Sequence, residues 1–139
     1  QYIIDGTNHW LTGYCDWNIV LDSIGGPNHV NNFAGAQVMI DYQNDIIYYT
    51  PYYYVLKQFS RSMRPGDVAL QVQYPATMKT GADCETQDIF LCAVEKTDGS
   101  YEINILNMGP ETTLPVQLDN HYANVKLPAA SVQTIIVKL

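Results

Sequence analysis

Apolar residues along this chain recur first at mixed spacing, then in short runs, then at helical spacing, and finally in alternation. In residues 1–11, Ile3, Ile4 and Trp10 are apolar at mixed spacing with no N-cap before them, so the segment reads as the end of a helix. A chain that opens inside an element looks cut rather than begun. Residues 12–21 are expected to form a strand, with Ile19, Val20 and Leu21 as its apolar core and Gly13 beside bulky Tyr14 and Trp17. A long loop over 22–37 follows, because Gly25-Gly26-Pro27 breaks regular structure and its Asn residues tolerate turn conformations. Loops held by a rigid strand are where sites usually live, and loops of this length are usually functional or disordered. The bland alternative is a surface loop beside a core strand.

Val38-Met39-Ile40-Asp41-Tyr42 and Ile46-Ile47-Tyr48-Tyr49 flank Gln43-Asn44-Asp45, which predicts a hairpin. Thr50 then stands as N-cap and Pro51 at the first helical position. Tyr52, Val55, Leu56, Phe59 and Met63 fall on one face of the helix predicted over 52–64 and are expected to be buried. Pro65-Gly66 stops it. Everything beyond reads as β. Residues 68–74 alternate, so one face is wet, whereas 89–94 are apolar on both faces and predict a central strand. Asp98-Gly99 marks a hairpin turn over 97–100 that leads into 101–106. Pro115 makes 112–118 an edge strand, and 134–139 closes the chain. Short strands at this spacing predict an antiparallel β-sandwich over 68–139.

Composition narrows the partners. The 139 residues suffice for one ordinary domain, and sparse charge with normal apolar content argues against disorder. A net charge of −7 argues against nucleic acid or an anionic membrane surface. No apolar run approaches the roughly 18 residues of a transmembrane segment. The N-terminus carries no signal peptide, so any such signal is expected to have been removed or to lie upstream. Cys15, Cys84 and Cys92 show no metal-ligand spacing; Cys84 and Cys92 either close a short loop in an oxidising compartment or stay free. Residues 1–56 hold five Asp and no Lys, Arg or Glu, while Glu85, Glu95, Glu102 and Glu111 all lie in the second half. A one-signed segment is either a cation-attracting surface or a part whose complement lies elsewhere, and the second reading is favoured.

Gly13-Tyr14-Cys15-Asp16-Trp17-Asn18, then Gly25-Gly26-Pro27-Asn28-His29-Val30-Asn31-Asn32-Phe33, then Pro51-Tyr52-Tyr53-Tyr54, Phe59-Ser60 and Arg64-Pro65-Gly66 stand in an order that resembles the C-terminal part of glycoside hydrolase family 30, the glucosylceramidase-type enzymes. The later strands agree more loosely, through the Asp98-Gly99 hairpin and Asn107. The resemblance implies an α/β plus β architecture: the end of a (β/α)8 TIM barrel followed by an antiparallel β-sandwich domain. Residues 1–67 would be the barrel end, with strand 8 at 12–17 and helix 8 at 52–64, and residues 68–139 the sandwich. It also implies a retaining β-glycosidase acting on glucosides or related sugars, without a cofactor or metal, in a secreted or lysosomal compartment. Its catalytic Glu pair would sit on barrel strands 4 and 7, upstream of this chain. The barrel portion here contains no Glu, so the chain would supply a wall of the pocket from the C-terminal end of strand 8.

By residue, the resemblance makes Trp17 an apolar platform for a sugar face, against the plainer reading of a barrel-filling Trp. Asn32 and Phe33 match the family's Asn-Phe at the pocket rim. Asp16 and Asn18 flank Trp17 and are supporting residues, either orienting it or serving as structural polar groups. His29 stands where many relatives carry Trp, and it reads as a loop hydrogen-bonder rather than a catalyst. The expected partners are a carbohydrate or glycolipid substrate and the upstream remainder of the barrel. The competing class is a non-catalytic carbohydrate-binding or structural β-sandwich protein derived from such an enzyme.

Overall fold

In chain order the elements are α1 (Tyr2–Asn8), β1 (Val20–Asp22), β2 (Val38–Asp41), β3 (Ile46–Tyr49), α2 (Pro51–Ser62), β4 (Val68–Leu70), β5 (Ile89–Glu95), β6 (Tyr101–Asn107), β7 (Thr112–Leu118), β8 (His121–Leu127) and β9 (Ser131–Val137). The structure, a computed structural model, describes residues 1–31, 33–74 and 88–139. It forms two compact units, one of Gln1–Thr12 with Ser62–Leu139 and the other Gly13–Arg61.

The first unit is mostly antiparallel sheet. A four-stranded sheet runs in the order β4-β5-β6-β9, and β7 pairs with β8 in a second sheet. Alternation along β5 and β6 sends Ala93, Ile103 and Ile105 to one face, where they share a core with Leu114 of β7 and Leu127 of β8. Two apolar faces meeting in this way make a sandwich core. The expected central strand is observed, since β5 lies between β4 and β6 and is largely buried. Pro115 sits on β7, whose one ladder among the described residues is to β8, as an edge strand requires.

In this unit two strands, β4 and β9, depart most from the predicted bounds. Ladder pairing for 68–74 stops at Leu70, and the Tyr74 hydroxyl instead accepts from Leu91 N at 2.9 Å and donates to Leu91 O at 3.1 Å. A side chain thus does there what a strand would do. The closing strand starts at Ser131, not at 134. Strand β8 (His121–Leu127) is not among the predicted strands. Its signals are Asp119-Asn120, with Asp119 at φ 50, and the alternation of Ala123, Val125 and Leu127.

The opposite face of the four-stranded sheet carries buried polar groups. α1 lies against β5: Ile4 is buried, and Asn8 Nδ2 donates to Leu91 O at 2.9 Å. Cys92 is a free buried thiol whose pKa burial pushes up to about 12, against a hydrogen bond with Thr7. The Cys84–Cys92 loop expected as one alternative involves Cys84, which lies outside the described residues. Glu102 has no exposed surface, and its carboxylate accepts from Ser62 Oγ at 2.6 Å, Asn104 Nδ2 at 2.8 Å and Lys96 Nζ at 3.2 Å. Lys96 Nζ also meets Asp67 Oδ2 at 2.8 Å, and Thr134 Oγ1 donates to Asn104 Oδ1 at 2.6 Å.

The second unit holds a three-stranded sheet in the order β1-β2-β3. β1 pairs with β2 in parallel and β2 with β3 antiparallel, so the expected hairpin is observed. At its tip Asp41 Oδ1 accepts from Gln43 N and Asn44 N, each at 3.1 Å. The strand expected over 12–21 shortens to Val20–Asp22. A strand forms only where a partner backbone runs beside it, and β2 reaches only this stretch, with Ile19 O accepting from Val38 N at 3.0 Å. α2 follows the predicted helix closely, with Phe59 buried and Val55, Leu56 and Met63 half-buried. Tyr52, expected inside, is exposed because its hydroxyl joins a polar cluster. The Thr50 hydroxyl donates to Ala36 O and Gln37 O and so ties the preceding loop.

The Glu102 network fixes a stability prediction. Removing one partner of a buried ion pair leaves an unpaired charge out of water. Lys96→Met is therefore expected to cost about 3–5 kcal/mol in a denaturant titration. Lys126→Met, which breaks only the exposed 3.1 Å pair with Glu111, should cost about 1 kcal/mol or less. pH offers a second readout. Burial opposes charge on Asp67, but hydrogen bonds from Lys96 and Arg64 N outweigh it and hold the pKa below the usual carboxylate range. Its contribution is then present above about pH 4 and lost as pH falls further, and Asp67→Asn should remove that part of the acid loss.

Candidate functional site

Residues 13–19 of the second unit lack regular structure and are exposed, so their backbone must be positioned by side chains. Asp16 is the anchor. Its Oδ2 accepts from Gln37 Nε2 at 2.5 Å, which joins the segment to the end of the 22–37 loop. Gln37 is buried, and Thr50 holds its carbonyl through both N and Oγ1 at 3.0 Å. Tyr52 adds a third support. A hydrogen bond to the Asp16 carboxylate, then one with Tyr14, then burial raise its pKa well above the ordinary phenol value, so its proton stays on. Tyr14 Oη and Tyr52 Oη lie 3.2 Å apart.

Trp17 projects from this anchored segment with 79% of its surface exposed. It does not belong to the core of its unit. Phe33 is 71% exposed on the following loop. Asn18 and His29 are exposed as well, and Asn32 lies outside the described residues. Two large aromatic rings in water forgo the stabilisation of apolar burial.

The loop carrying Phe33 is closed by its own residues. Asp22 Oδ1 accepts from Ile24 N at 3.0 Å and from Gly26 N at 2.7 Å. Asn28 Nδ2 donates to Gly25 O at 3.0 Å. Gly25 has φ +83, and a Cβ there would lie 2.4 Å from Ala34 N and 3.1 Å from Phe33 Cα. Only glycine admits both that dihedral and that approach. The resemblance points to Asp16 but not to Gln37 and Tyr52, which hold it, to Thr50, which holds Gln37, or to Asp22, which closes the loop that carries Phe33. The Asp22 to Gly25-Gly26 spacing, at which an Asp side chain reaches N–H groups just ahead of it, was a readable signal. The Gln37 and Tyr52 contacts cross 21 and 36 positions and left no local trace.

Among the described residues no group of three or more His, Cys, Asp or Glu is placed to hold a metal ion. No described helix is long and apolar enough to cross a membrane.

Residues 1–63 match the glycosyl hydrolase family 30 TIM-barrel domain. Mouse lysosomal acid glucosylceramidase is 32% identical over 111 residues, covering 78% of this chain and 19% of that protein. Putative glucosylceramidase 1 of Caenorhabditis elegans is 29% identical over 149 residues, covering 98% of this chain and 26% of that protein. The crystal structure of SrfJ from Salmonella typhimurium superimposes with a TM-score of 0.84 at 24% identity, over 99% of this chain and 29% of that one. The endo-beta1,6-glucanase BT3312 superimposes at 0.75 and 24% identity, over 94% and 28%. The chain belongs to glycosyl hydrolase family 30 and is of the glucosylceramidase type. It spans about a fifth to a quarter of the length of these curated relatives.

The glycine geometry yields a contrast. Gly25→Ala should destabilise the loop by at least the roughly 1–3 kcal/mol of a left-handed non-glycine residue, with the backbone clash added. Gly13→Ala, where a Cβ meets nothing within 4 Å, should be close to neutral. Thermal unfolding of the two variants side by side checks it.

Proposed function

We propose that this chain is the C-terminal part of a retaining β-glycosidase that hydrolyses the O-glycosidic bonds of glucosides or related sugars, glycolipids included. In this reading residues 1–67 are the end of a (β/α)8 barrel and 68–139 its β-sandwich domain. The catalytic Glu pair, about 5–5.5 Å apart in a retaining enzyme, belongs to the upstream part of the barrel. This chain contributes a pocket wall: Trp17 as the platform for the apolar face of the sugar, and Asn32 and Phe33 at the rim. Asp16 and Asn18 support Trp17. Kinship to a lysosomal enzyme favours a lysosomal or secreted compartment.

The observation that carries the reading is the exposure of Trp17 on a segment pinned by Asp16, Gln37 and Tyr52. A core tryptophan needs no such arrangement. Sugars present C–H faces that a flat ring covers at low entropic cost, and the ring must be held in place to do so.

Trp17→Ala in the full-length protein is expected to lower kcat/KM for an aryl β-glucoside by tenfold or more, with an unchanged unfolding midpoint, because only substrate contact is lost. A destabilisation of roughly 3–5 kcal/mol, typical of a deleted core aromatic, with unaltered catalysis in the residual folded protein would assign Trp17 to packing and sink the platform.

A further inference from the structure

Phe33 presents a physical problem that its proposed role sharpens. With 71% of its surface exposed, the ring has little packing of its own to set its direction. Its position must come from the backbone beneath it. That backbone rests on Gly25, whose missing Cβ would stand 3.1 Å from Phe33 Cα and 2.9 Å from Ala34 O. Whatever sets Gly25 therefore sets Phe33.

Asp22 sets Gly25 from both sides. Its Oδ1 receives the N–H of Ile24 and of Gly26, the two residues flanking Gly25. Its own N donates to Gly26 O at 2.7 Å, and its carbonyl accepts from Gly25 N at 3.1 Å. Asp22 is also the last residue of β1, in register with Ile40 of β2, so the carboxylate is mounted on the sheet. A charged acceptor taking two backbone N–H groups is a strong, directional clamp.

We propose that Asp22 is the positioning residue of the sugar-binding rim, its carboxylate holding Gly25 against the Phe33–Ala34 backbone so that the Phe33 ring is presented to substrate. The inference rests on the reading of Phe33 as a rim residue. It assigns Asp22 no contact with substrate. It also requires an acceptor oxygen and not a negative charge, which separates Asp22→Asn from Asp22→Ala.

In the full-length protein Asp22→Ala is expected to lower kcat/KM for an aryl β-glucoside about tenfold, chiefly through KM, because a displaced rim loses binding shared by ground and transition states. Asp22→Asn, whose amide oxygen still accepts both N–H groups, should recover to within about threefold of the parent. A readout independent of catalysis is chymotryptic nicking after Phe33, followed by mass spectrometry. Nicking should rise about tenfold in Asp22→Ala and return to the parent rate in Asp22→Asn, as expected for local opening of an unclamped loop. Should Asp22→Ala fail to fold, Asp22→Ser, with a shorter and weaker acceptor, is read in the same way. Unchanged KM and nicking in the Ala or Ser variant, or an Asn variant as impaired as Ala, would overturn the proposal. A parent protein without glycoside turnover would instead sink the glycosidase reading, and the nicking rates would still decide whether Asp22 holds the loop.

Discussion

A carboxylate that leaves water completely must find a cation and enough donors, or the element carrying it does not form. Glu102 is in that position, at zero exposure on β6 between β5 and β9. Its compensation comes from near and distant parts of the chain at once. Ser62 supplies a hydroxyl, Lys96 an ammonium from just past β5, and Asn104 an amide that Thr134 on β9 in turn orients. Asp67 shares the same ammonium. The interaction is specific more than it is strong, since an apolar substitute of equal volume loses less to desolvation. What it imposes is register: shifting β6 by one residue would turn Glu102 into the apolar core and Ile103 towards Lys96.

The second unit meets a related constraint at lower cost. Its irregular segment 13–19 and its long loop lack ladder partners over most of their length, so side-chain carboxylates organise the backbone instead. Asp16 and Asp22 each gather more than one donor, and both remain partly in water. Partial exposure keeps the desolvation penalty small while the geometry stays directional. This also accounts for part of the one-signed charge of residues 1–56. Asp22 and Asp41 each close a local backbone structure and Asp16 ties distant segments, all through neutral N–H, amide or hydroxyl donors, so no Lys or Arg is needed beside them.

Elements with a local signal were legible in the sequence. The hairpin around Gln43-Asn44-Asp45, the α2 helix behind Pro51, the buried strand β5 and the Asp98-Gly99 turn all lie close to their predicted places. Misplacements share one cause, which is dependence on a partner distant in sequence. Residues 12–19 look like a strand until one asks which backbone runs beside them. The fourth strand ends at Leu70 because the Tyr74 hydroxyl takes over Leu91. The same division runs through the site. The resemblance points to Trp17, Phe33 and Asp16; Gln37 and Tyr52, which hold Asp16 from a distance, emerge only from folded geometry, whereas the Asp22 clamp carries a local signal.

Exposure of Trp17 and Phe33 gains meaning when set against the rigidity beneath them. An aromatic ring with two side-chain torsions costs little to immobilise, provided its backbone is already immobile. Were the backbone free to move, the proposed sugar contact would have to order several residues at roughly 1–2 kcal/mol apiece, which would offset much of what the ring gains. The chain meets that cost during folding. Asp16 with Gln37 and Tyr52 fixes the base of Trp17, and Asp22 with Gly25 fixes the base of Phe33. The polar groups of this unit hold the backbone beneath Trp17 and Phe33 and leave both rings uncovered.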